Sequence, residues 1–311
     1  MNYSLFKLTF TAGVHFGTGT LDSTEAVFRS DSLFSALFVE ALKLDDETAN
    51  RFKSLIENGR ISISDALPYK GLHYFLPKPC IYIDRKTDNT QNSSILKKQS
   101  KKLKYISTEN YLDYFTGGLD IQSQLELTEN LGVVSVKTSA VIDREEGAVP
   151  YQIGVYTFQP ECGLYVIIGY ETKDDLELFE KLLEGLSYSG LGGRRSAGLG
   201  GFTARKCDIP QSLQNLLCDD KDVSVLISTA YPKDEDLDRC LSDAEYMVIK
   251  RGGFVGSYNE YLNNIRKRDV YMFAAGSCFK NRFTGRIINV SRNDTQPVYR
   301  SAMPMWIGVD L

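Results

Sequence analysis

The chain has few of the residues that bind metals or form disulfide bonds. Its 311 residues include two histidines, and its six cysteines are scattered with no C-x-x-C pair. Zinc sites need thiolates and imidazoles at close spacing, so the sequence excludes the common zinc motifs. Scattered thiols are typical of buried cysteines in a reducing cytoplasm. We therefore expect no metal, no cofactor and a cytoplasmic location.

Long apolar runs and nucleotide-binding motifs are also absent. The sequence has no stretch of eighteen apolar residues, and residues 3–10 alternate in polarity instead of forming an export signal. The glycine-rich segment near residue 195 lacks the lysine of a P-loop and does not run from a strand into a helix. The sequence therefore predicts a soluble protein with no membrane contact, and it disfavours ATP binding.

A positive net charge is missing as well, since 40 acidic residues outnumber 36 basic ones. This balance argues against a chain that binds nucleic acid over its whole surface. The charge is nevertheless divided along the sequence. Residues 219–245 hold nine acidic and three basic residues, whereas residues 246–306 hold ten basic and three acidic ones. We predict a basic C-terminal face, and an acidic segment that is a solvated surface or docks a basic neighbour.

The periodicity of apolar residues predicts an α+β fold. Alternation predicts a half-buried strand over residues 3–10, and helical spacing predicts core-facing helices over 30–42 and 45–57. Residues 77–130 are turn-rich and carry a lysine run at 97–104, and we interpret them as an inserted arm. The elements predicted after the insertion are strands at 132–137, 151–158, 164–170 and 201–206 and a helix at 174–186.

Without the insertion, the element order is β-α-β-β-α-β, which is typical of a ferredoxin-like (RRM-like) unit. We expect residues 1–209 to form this N-terminal domain, with a β-hairpin thumb at about 137–150. Residues 210–311 repeat part of the pattern, and we interpret them as a degenerate second ferredoxin-like domain. This fold hosts many functions, so it does not name one.

The segment Gly190–Gly201 has six glycines in twelve residues, between a predicted helix and a predicted strand. Backbone without side chains approaches a phosphate closely and points N–H groups at it, while arginine and serine add further donors. The alternative is a tight connection that only needs positive φ angles. We favour an anion site, whose predicted contacts are Gly192, Gly193, Arg194, Arg195, Ser196 and Gly198.

Two other segments suit single-stranded RNA. Residues 137–150 are too long for a minimal hairpin turn, so they predict a protrusion. A second segment combines a cation, a compact backbone and an aromatic face for stacking. Its residues are Arg251, Gly252, Gly253 and Phe254. The alternatives are an ordinary surface hairpin and an ordinary turn.

Together, these segments resemble the RAMP superfamily of CRISPR proteins. The motifs that carry the resemblance are the glycine-rich segment, His15–Gly17, Ser30–Leu37, Ile142–Arg144, Lys250–Phe254 and Met272–Phe279. Each motif is short and unspecific by itself. As a set, they span most of the chain and are similar to the family of the fourth subunit of the Csm complex, the type III-A CRISPR effector.

The resemblance implies a non-catalytic subunit of an antiviral ribonucleoprotein that binds the 5′ repeat-derived handle of the CRISPR RNA. It implies that the chain caps the foot of a helical backbone and contacts the adjacent RAMP subunit and the large polymerase/HD-nuclease-type subunit. It places Lys137 and Arg144 of the thumb near phosphates. It also implies that Val141 or Ile142 contacts bases, and it assigns His15 and Gly17 to the RNA surface.

The role of His15 decides whether the sequence indicates an RNA-binding protein or a nuclease. RNA cleavage through the 2′-hydroxyl needs a proton acceptor and a proton donor, and some RAMP proteins cleave RNA in this way. His73 lies near a predicted strand edge, and no carboxylate cluster indicates metal-assisted hydrolysis. We expect His15 to structure its loop or contact RNA. The alternatives are an endoribonuclease that processes repeat RNA with His15 as general acid or base, and a protein-interaction module without RNA.

Overall fold

The structure is a computed structural model that describes residues 1–81, 83, 98–143, 147–217, 221–255, 265–292 and 296–310. The helices are α1 (Ser30–Leu44), α2 (Asp46–Glu57), α3 (Tyr111–Phe115), α4 (Ile121–Thr128), α5 (Lys173–Ser189), α6 (Gln211–Leu216) and α7 (Leu237–Leu241). The strands of the first two thirds are β1 (Asn2–Phe10), β2 (Ile61–Ile63), β3 (Leu67–Lys70), β4 (His73–Pro77), β5 (Tyr105–Ser107), β6 (Gly132–Asp143), β7 (Gly147–Phe158), β8 (Cys162–Tyr170) and β9 (Phe202–Cys207). The remaining strands are β10 (Val223–Leu226), β11 (Val248–Arg251), β12 (Val270–Phe273), β13 (Cys278–Phe279), β14 (Ile287–Asn289), β15 (Tyr299–Ser301) and β16 (Trp306–Val309).

These elements form a mixed α/β fold with antiparallel sheets, in agreement with the predicted class. β8 lies inside a seven-stranded sheet whose order is β5-β4-β3-β8-β1-β9. One edge of β8 is shared by two strands, because Ile63 of β2 lies opposite Ile168 and Leu67 of β3 lies opposite Tyr165. The predicted strands 132–137 and 151–158 lie in β6 and β7, which pair with each other in a separate two-stranded sheet. The main sheet instead takes β2 and β3, for which the sequence predicted no strand.

The main sheet is buried on both faces, because the side chains of β8 alternate between two cores. Leu164, Val166 and Ile168 pack with the apolar residues of α1, α2 and α5. Tyr165 and Ile167 belong to the core on the opposite face. Leu5 of β1 belongs to the second core, whereas on the same face Lys7 is partly exposed and Thr9 is exposed, in agreement with the predicted half-buried strand. Alternation along one strand reports polarity and does not show what packs on it.

The described part of the insertion, residues 98–130, packs into this second core. β5 pairs with β4 and extends the main sheet at its edge. Leu103, Ile106 and Tyr111 are almost completely buried there, and their apolar surface explains why the segment folds inward. The described lysines of the run 97–104 remain exposed, while Lys97 lies outside the described residues.

The C-terminal segment also packs on the second face of the main sheet. In the described residues, its strands are divided among small sheets, namely β13-β10-β16, β11-β12 and β14-β15. Val225 and Ile307 share a core with Ile167 of the main sheet. The second ferredoxin-like unit therefore stays an interpretation. In the described part of the chain, no helix is both long and apolar enough to cross a bilayer.

A buried carboxylate at the beginning of α1 binds two arginines from the C-terminal segment. Asp31 is fully buried and accepts hydrogen bonds from Nε and Nη2 of Arg251 at 3.0 and 3.1 Å. It also forms an ion pair with Arg300. Burial by itself raises the pKa of the Asp31 carboxyl, but the two guanidiniums outweigh burial and lower that pKa.

A second buried carboxylate lies beside the first. Asp65 accepts hydrogen bonds from the backbone N–H groups of Ser30 at 2.8 Å and Thr229 at 3.0 Å. It also forms an ion pair with Arg29 at 3.3 Å. The beginning of α1 is therefore attached to the C-terminal segment through two separate carboxylates, which fixes where that segment lies on the main sheet.

We expect Asp31→Asn to lower the free energy of unfolding by about 3–5 kcal/mol, because two shielded guanidiniums lose their carboxylate. Urea-induced unfolding at neutral pH measures this change. The folded state lowers the pKa of Asp31, so the stability it contributes is present above the usual carboxyl range. That stability is lost as the pH falls through the lowered pKa.

The matched control is Asp243→Asn, which removes an exposed ion pair with Lys280 at 3.2 Å. This change should alter the free energy of unfolding by less than about 1 kcal/mol. Equal losses from the two substitutions would contradict a special role for the buried carboxylate.

Candidate nucleic-acid interface

Three segments of the chain meet beside β1 and β9. They are the loop that follows β1, the hairpin formed by β6 and β7, and the glycine-rich loop of residues 190–201. Val14 and Tyr156 exchange backbone hydrogen bonds of 2.8 and 2.9 Å, which attach the first loop to the hairpin. The backbone N–H of Gly193 donates to the carbonyl of His15 at 2.9 Å, which attaches the glycine-rich loop to the same segment.

The base of the glycine-rich loop is tightly packed. Leu191 is fully buried, and the N–H of Gly200 donates to the carbonyl of Gly13 at 3.0 Å. Gly192 has a φ of 90°, and a Cβ atom there would lie 2.7 Å from the carbonyl oxygen of His15. Only glycine fits both the conformation and the contact. Part of the glycine content therefore serves the connection, as the alternative interpretation of the sequence held.

The tip of the glycine-rich loop is open to solvent. Arg195–Ala197 form a short 3-10 turn that begins after Arg194, whose φ is 59°. Arg195, Ser196 and Gly198 are all exposed. Among the described residues, Arg195 has no ion pair with a carboxylate. The tip thus offers a free guanidinium, a hydroxyl and bare backbone, which are the donors that a phosphate requires.

His15 connects the glycine-rich loop to the hairpin. Its side chain is 7% exposed, and Nδ1 lies 2.8 Å from the carbonyl oxygen of Gly154 in β7. A carbonyl only accepts, so Nδ1 carries the proton and donates. Gly17 is exposed next to the other edge of the ring, where a Cβ would lie 3.2 Å from Nε2. These contacts fit a residue that structures its loop.

Among the described residues, the His15 ring forms its hydrogen bond with the carbonyl of Gly154, and no second titrating group is paired with it. His73 lies on β4, 4.0 Å from Glu109. In the described ranges, no group of three or more histidine, cysteine and carboxylate side chains is suited to hold a metal ion. The geometry around His15 therefore gives no support to the nuclease alternative.

The side chain of Arg194, from the glycine-rich loop, packs against the hairpin. Its Nη1 donates to the hydroxyl of Tyr151 at 3.2 Å, and its guanidinium is 4.9 Å from the centre of the tyrosine ring. Tyr151 is opposite Ser139 and Ile153 is opposite Lys137, so side-chain alternation places Lys137 on the same face as Tyr151. The predicted contacts Arg194 and Lys137 therefore border one surface.

The outer half of the hairpin exposes apolar side chains to solvent. Ile142 is 86% exposed and Val141 is 56% exposed. These apolar side chains gain no burial within the hairpin. Exposed apolar side chains of this kind indicate a surface that contacts a partner. Arg144, the other predicted phosphate contact of this segment, lies outside the described residues.

Arg251 is placed differently from the prediction. Its guanidinium is occupied by the buried carboxylate of Asp31 and by the hydroxyl of Ser32 at 2.9 Å. The geometry therefore assigns Arg251 to the attachment of α1 and not to a phosphate. Of its predicted neighbours, Gly253 is exposed with a φ of 116°, Phe254 is 64% exposed, and the carbonyl of Gly252 accepts from Arg300 at 2.9 Å.

Part of the basic charge of the C-terminal segment is paired with carboxylates, and the predicted basic face stays a prediction. Lys250 pairs with Asp269 at 2.9 Å, and two other cations pair with the acidic stretch. These pairs are Lys280 with Asp243 and Arg286 with Asp234. The acidic residues 219–245 thus lie beside the basic ones, because opposite charges distant in sequence meet in the fold.

Two residues of this interface were missed by sequence reasoning. Tyr151 supports Arg194, and Gly154 accepts the proton of His15. Both lie in a predicted strand, where an aromatic residue and a glycine carry no distinctive signal. The tertiary contact alone reveals them.

Comparison with known proteins identifies the class of this fold. The family model of the RAMP superfamily matches residues 7–203, which is more than half of the chain. The chain therefore belongs to the RAMP superfamily. A second model, the CRISPR Csm4 C-terminal domain, matches residues 219–309. The two models together cover the chain on both sides of the boundary expected near residue 209.

Full-length relatives narrow this assignment. The chain is 34% identical over 321 aligned positions to the CRISPR system Cms protein Csm4 of Streptococcus thermophilus, with 100% of each chain covered. It is 32% identical over 310 positions to the protein of the same name from Mycobacterium tuberculosis, with 99% and 98% covered. Within the superfamily, the chain belongs to the Csm4 family.

Solved structures show the same fold. A chain in the crystal structure of a Csm3-Csm4 subcomplex of the type III-A interference complex has a TM-score of 0.68 and 19% identity, covering 98% of this chain and 99% of that one. A chain in a Csm1-Csm4 cassette bound to pppApA has a TM-score of 0.62 and 18% identity, with 100% and 99% covered.

We expect Gly192→Ala to lower the free energy of unfolding by about 2 kcal/mol, because it adds a positive-φ penalty to a clash with the His15 carbonyl. Thermal or urea unfolding measures the loss. The matched control is Gly198→Ala, at a φ of 82° with nothing within 4 Å of the added carbon. The control should cost about 1 kcal/mol, and equal costs would contradict the packing of the loop base against His15.

Proposed function

We propose that the chain is a non-catalytic CRISPR RNA-binding subunit that holds the 5′ repeat-derived handle. One observation carries this proposal. Arg194 belongs to the glycine-rich loop, next to its exposed tip, and its side chain contacts Tyr151 of the hairpin. The cationic loop and the hairpin therefore border one surface. Such a surface offers donors for phosphates and apolar side chains for bases, and both are used in binding single-stranded RNA.

The hairpin acts as a thumb in this proposal. Lys137 lies on the face that Arg194 covers, so it contacts the phosphates of the same RNA segment. Val141 and Ile142 are farther along the ribbon, and their exposed side chains contact bases. Arg144 is retained as a phosphate contact on the family resemblance alone.

The assembly role rests on the relatives. The Csm3-Csm4 subcomplex pairs a Csm4 protein with Csm3, and the Csm1-Csm4 cassette pairs another with Csm1. We infer that this chain likewise contacts an adjacent RAMP subunit and the large polymerase/HD-nuclease-type subunit in a type III-A Csm complex. It caps the foot of that complex, and the RNA handle lies across the cap. The exposed apolar residues of the hairpin are consistent with such contacts.

We retain the ferredoxin-like interpretation for residues 1–209. The sheet contains the consecutive strands β9-β1-β8-β3, and α1 and α5 pack together with residues of one of its faces. A second unit in residues 210–311 is supported only by the order of its elements along the chain.

We expect Arg195→Ala to weaken binding of a labelled single-stranded repeat RNA about tenfold, because it removes a charge-assisted phosphate contact. It should also reduce the slope of log affinity against log salt by about one. Fluorescence anisotropy across a salt series measures both quantities, with the isolated chain and with the assembled complex.

Arg51→Ala is the matched control for this experiment, because Arg51 is an exposed arginine on α2. Its loss should leave the affinity within about twofold and the salt slope unchanged. A wild-type chain whose RNA affinity does not depend on salt would instead favour a protein-interaction module.

Absence of catalysis is tested separately. The isolated chain is incubated with end-labelled repeat RNA, and we expect no specific cleavage product, because His15 has one ring nitrogen bonded to Gly154 and no titrating partner among the described residues. His15→Ala should then weaken RNA binding without removing an activity. A single specific cut that His15→Ala abolishes would replace the proposal with the endoribonuclease alternative.

A further inference from the structure

The two ring nitrogens of His15 have different surroundings. Nδ1 donates its proton to the carbonyl of Gly154 at 2.8 Å, and this bond fixes the tautomer of the neutral ring. Nε2 then carries no proton and can only accept a hydrogen bond. In the described part of the chain, no group donates to Nε2. His15 therefore presents a hydrogen-bond acceptor that the fold orients and does not use.

Two glycines leave this acceptor uncovered. A Cβ at Gly17 would lie 3.2 Å from Nε2, and a Cβ at Gly193 would lie 2.9 Å from Cδ2 and 3.8 Å from Nε2. A side chain at either position would press on this edge of the ring or cover it. Although His15 is only 7% exposed, the enclosed side-chain atoms that lack a hydrogen bond belong to other described residues. Nε2 thus reaches solvent between two stretches of bare main chain.

The acceptor lies beside the donors of the proposed phosphate site. Gly193, which borders the ring, is followed directly by Arg194 and by the exposed tip at Arg195 and Ser196. Guanidinium and hydroxyl groups suit phosphate oxygens, which accept hydrogen bonds. Nε2 cannot bind such an oxygen, because neither atom carries a proton. A ligand that fits both parts of the surface must therefore offer a hydrogen-bond donor close to its phosphate.

Among the groups of RNA that donate hydrogen bonds, the ribose 2′-hydroxyl is closely linked to a phosphate. It is carried by the carbon next to the one that bears the 3′-phosphate, so a phosphate bound at the loop tip brings a 2′-hydroxyl close to it. This hydroxyl both donates and accepts, and it is the group by which a protein distinguishes RNA from DNA. Its chemistry matches a neutral Nε2 beside a phosphate site.

The proposed base contacts lie farther from His15. The ring contacts the hairpin at Gly154, which is opposite Val136. Val141 and Ile142 are five and six residues farther along β6, which corresponds to roughly 17–20 Å at the rise of a β-strand. The sugar, and not a base amine, is therefore the donor that fits Nε2.

We propose that Nε2 of His15 accepts a hydrogen bond from a ribose 2′-hydroxyl and thereby makes this surface prefer RNA to DNA. The inference rests on the proposed RNA-binding function and names the residue that distinguishes the sugar. Arg195 and the loop tip bind the phosphates of either polymer, whereas His15 contacts only the polymer that carries the hydroxyl. This role uses the neutral imidazole and involves no proton transfer, unlike general acid–base catalysis.

The experiment compares a labelled single-stranded repeat RNA with its all-2′-deoxy version, which has the same bases, in wild type and in His15→Asn. The asparagine amide nitrogen takes the place of Nδ1 and can still donate to the Gly154 carbonyl, but the side chain has no atom at the place of Nε2. RNA affinity should fall about fivefold, because one hydrogen bond between neutral groups is lost. Affinity for the deoxy strand should not change. Fluorescence anisotropy measures both affinities.

Single 2′-deoxy substitutions along the RNA locate the contact. At one position, the substitution should lower wild-type affinity about fivefold and have no further effect in His15→Asn, because both changes remove the same hydrogen bond. Losses that add at every position would overturn the proposal. A loss in His15→Asn that follows the identity of a base instead of the sugar would overturn it as well, in favour of a base amine as the donor.

His73→Asn is the matched control, because His73 lies on β4, where its Nδ1 is 4.0 Å from Glu109. This change should leave both affinities within about twofold of wild type. The deoxy strand also reports on folding. A His15→Asn protein that lost affinity for RNA and for the deoxy strand equally would show that His15 only structures its loop, which contradicts a contact with the sugar.

The design separates this inference from the proposed function. If wild-type protein shows no salt-dependent RNA affinity, the RNA-binding function itself fails. If wild type binds RNA and Arg195→Ala weakens it, while His15→Asn leaves the ratio of RNA to deoxy-strand affinity unchanged, only the role of His15 is overturned. A loss confined to RNA in His15→Asn, with losses for both strands in Arg195→Ala, supports both.

Discussion

The carboxylate of Asp31 is the contact on which most of this structure depends. It lies at the first turn of α1, fully buried, and it binds arginines from two separate strands of the C-terminal segment. A carboxylate in this position is tolerated only because two cations compensate the cost of removing it from water. The same pairing attaches the C-terminal segment to the main sheet and removes Arg251 from the surface.

The proposed RNA surface depends on weaker contacts. His15 attaches the glycine-rich loop and the hairpin through one hydrogen bond each, at 2.9 and 2.8 Å. Neutral hydrogen bonds of this kind contribute only about 1 kcal/mol each, so they orient the two segments without making them rigid. Packing at Gly192 and the contact of Arg194 with Tyr151 add to the orientation. A site held in this way adjusts to its ligand more readily than one built around a buried ion pair.

The distribution of charge is compatible with the proposed binding of a polyanion by a chain whose net charge is -4. Many basic residues of the C-terminal segment are matched by acidic residues from elsewhere, as in the pair of Arg286 with Asp234. Such pairs contribute little to the long-range attraction of a polyanion, because the two opposite charges offset each other and salt screens the remaining field beyond a Debye length. In the proposed function, cations without an ion pair among the described residues, such as Arg195, determine where RNA binds. The attraction of a polyanion depends on the local excess of positive charge and not on the net charge of the chain.

The sequence by itself determined the class of fold and the family, because apolar periodicity, the glycine-rich segment and short motifs are local properties of the chain. It also singled out the tip of the glycine-rich loop. Only the tertiary structure decided that the described part of the insertion packs on the main sheet and that Arg251 pairs with Asp31. These outcomes depend on which residues distant in sequence become neighbours, and charge pairing and burial are decided between neighbours in space.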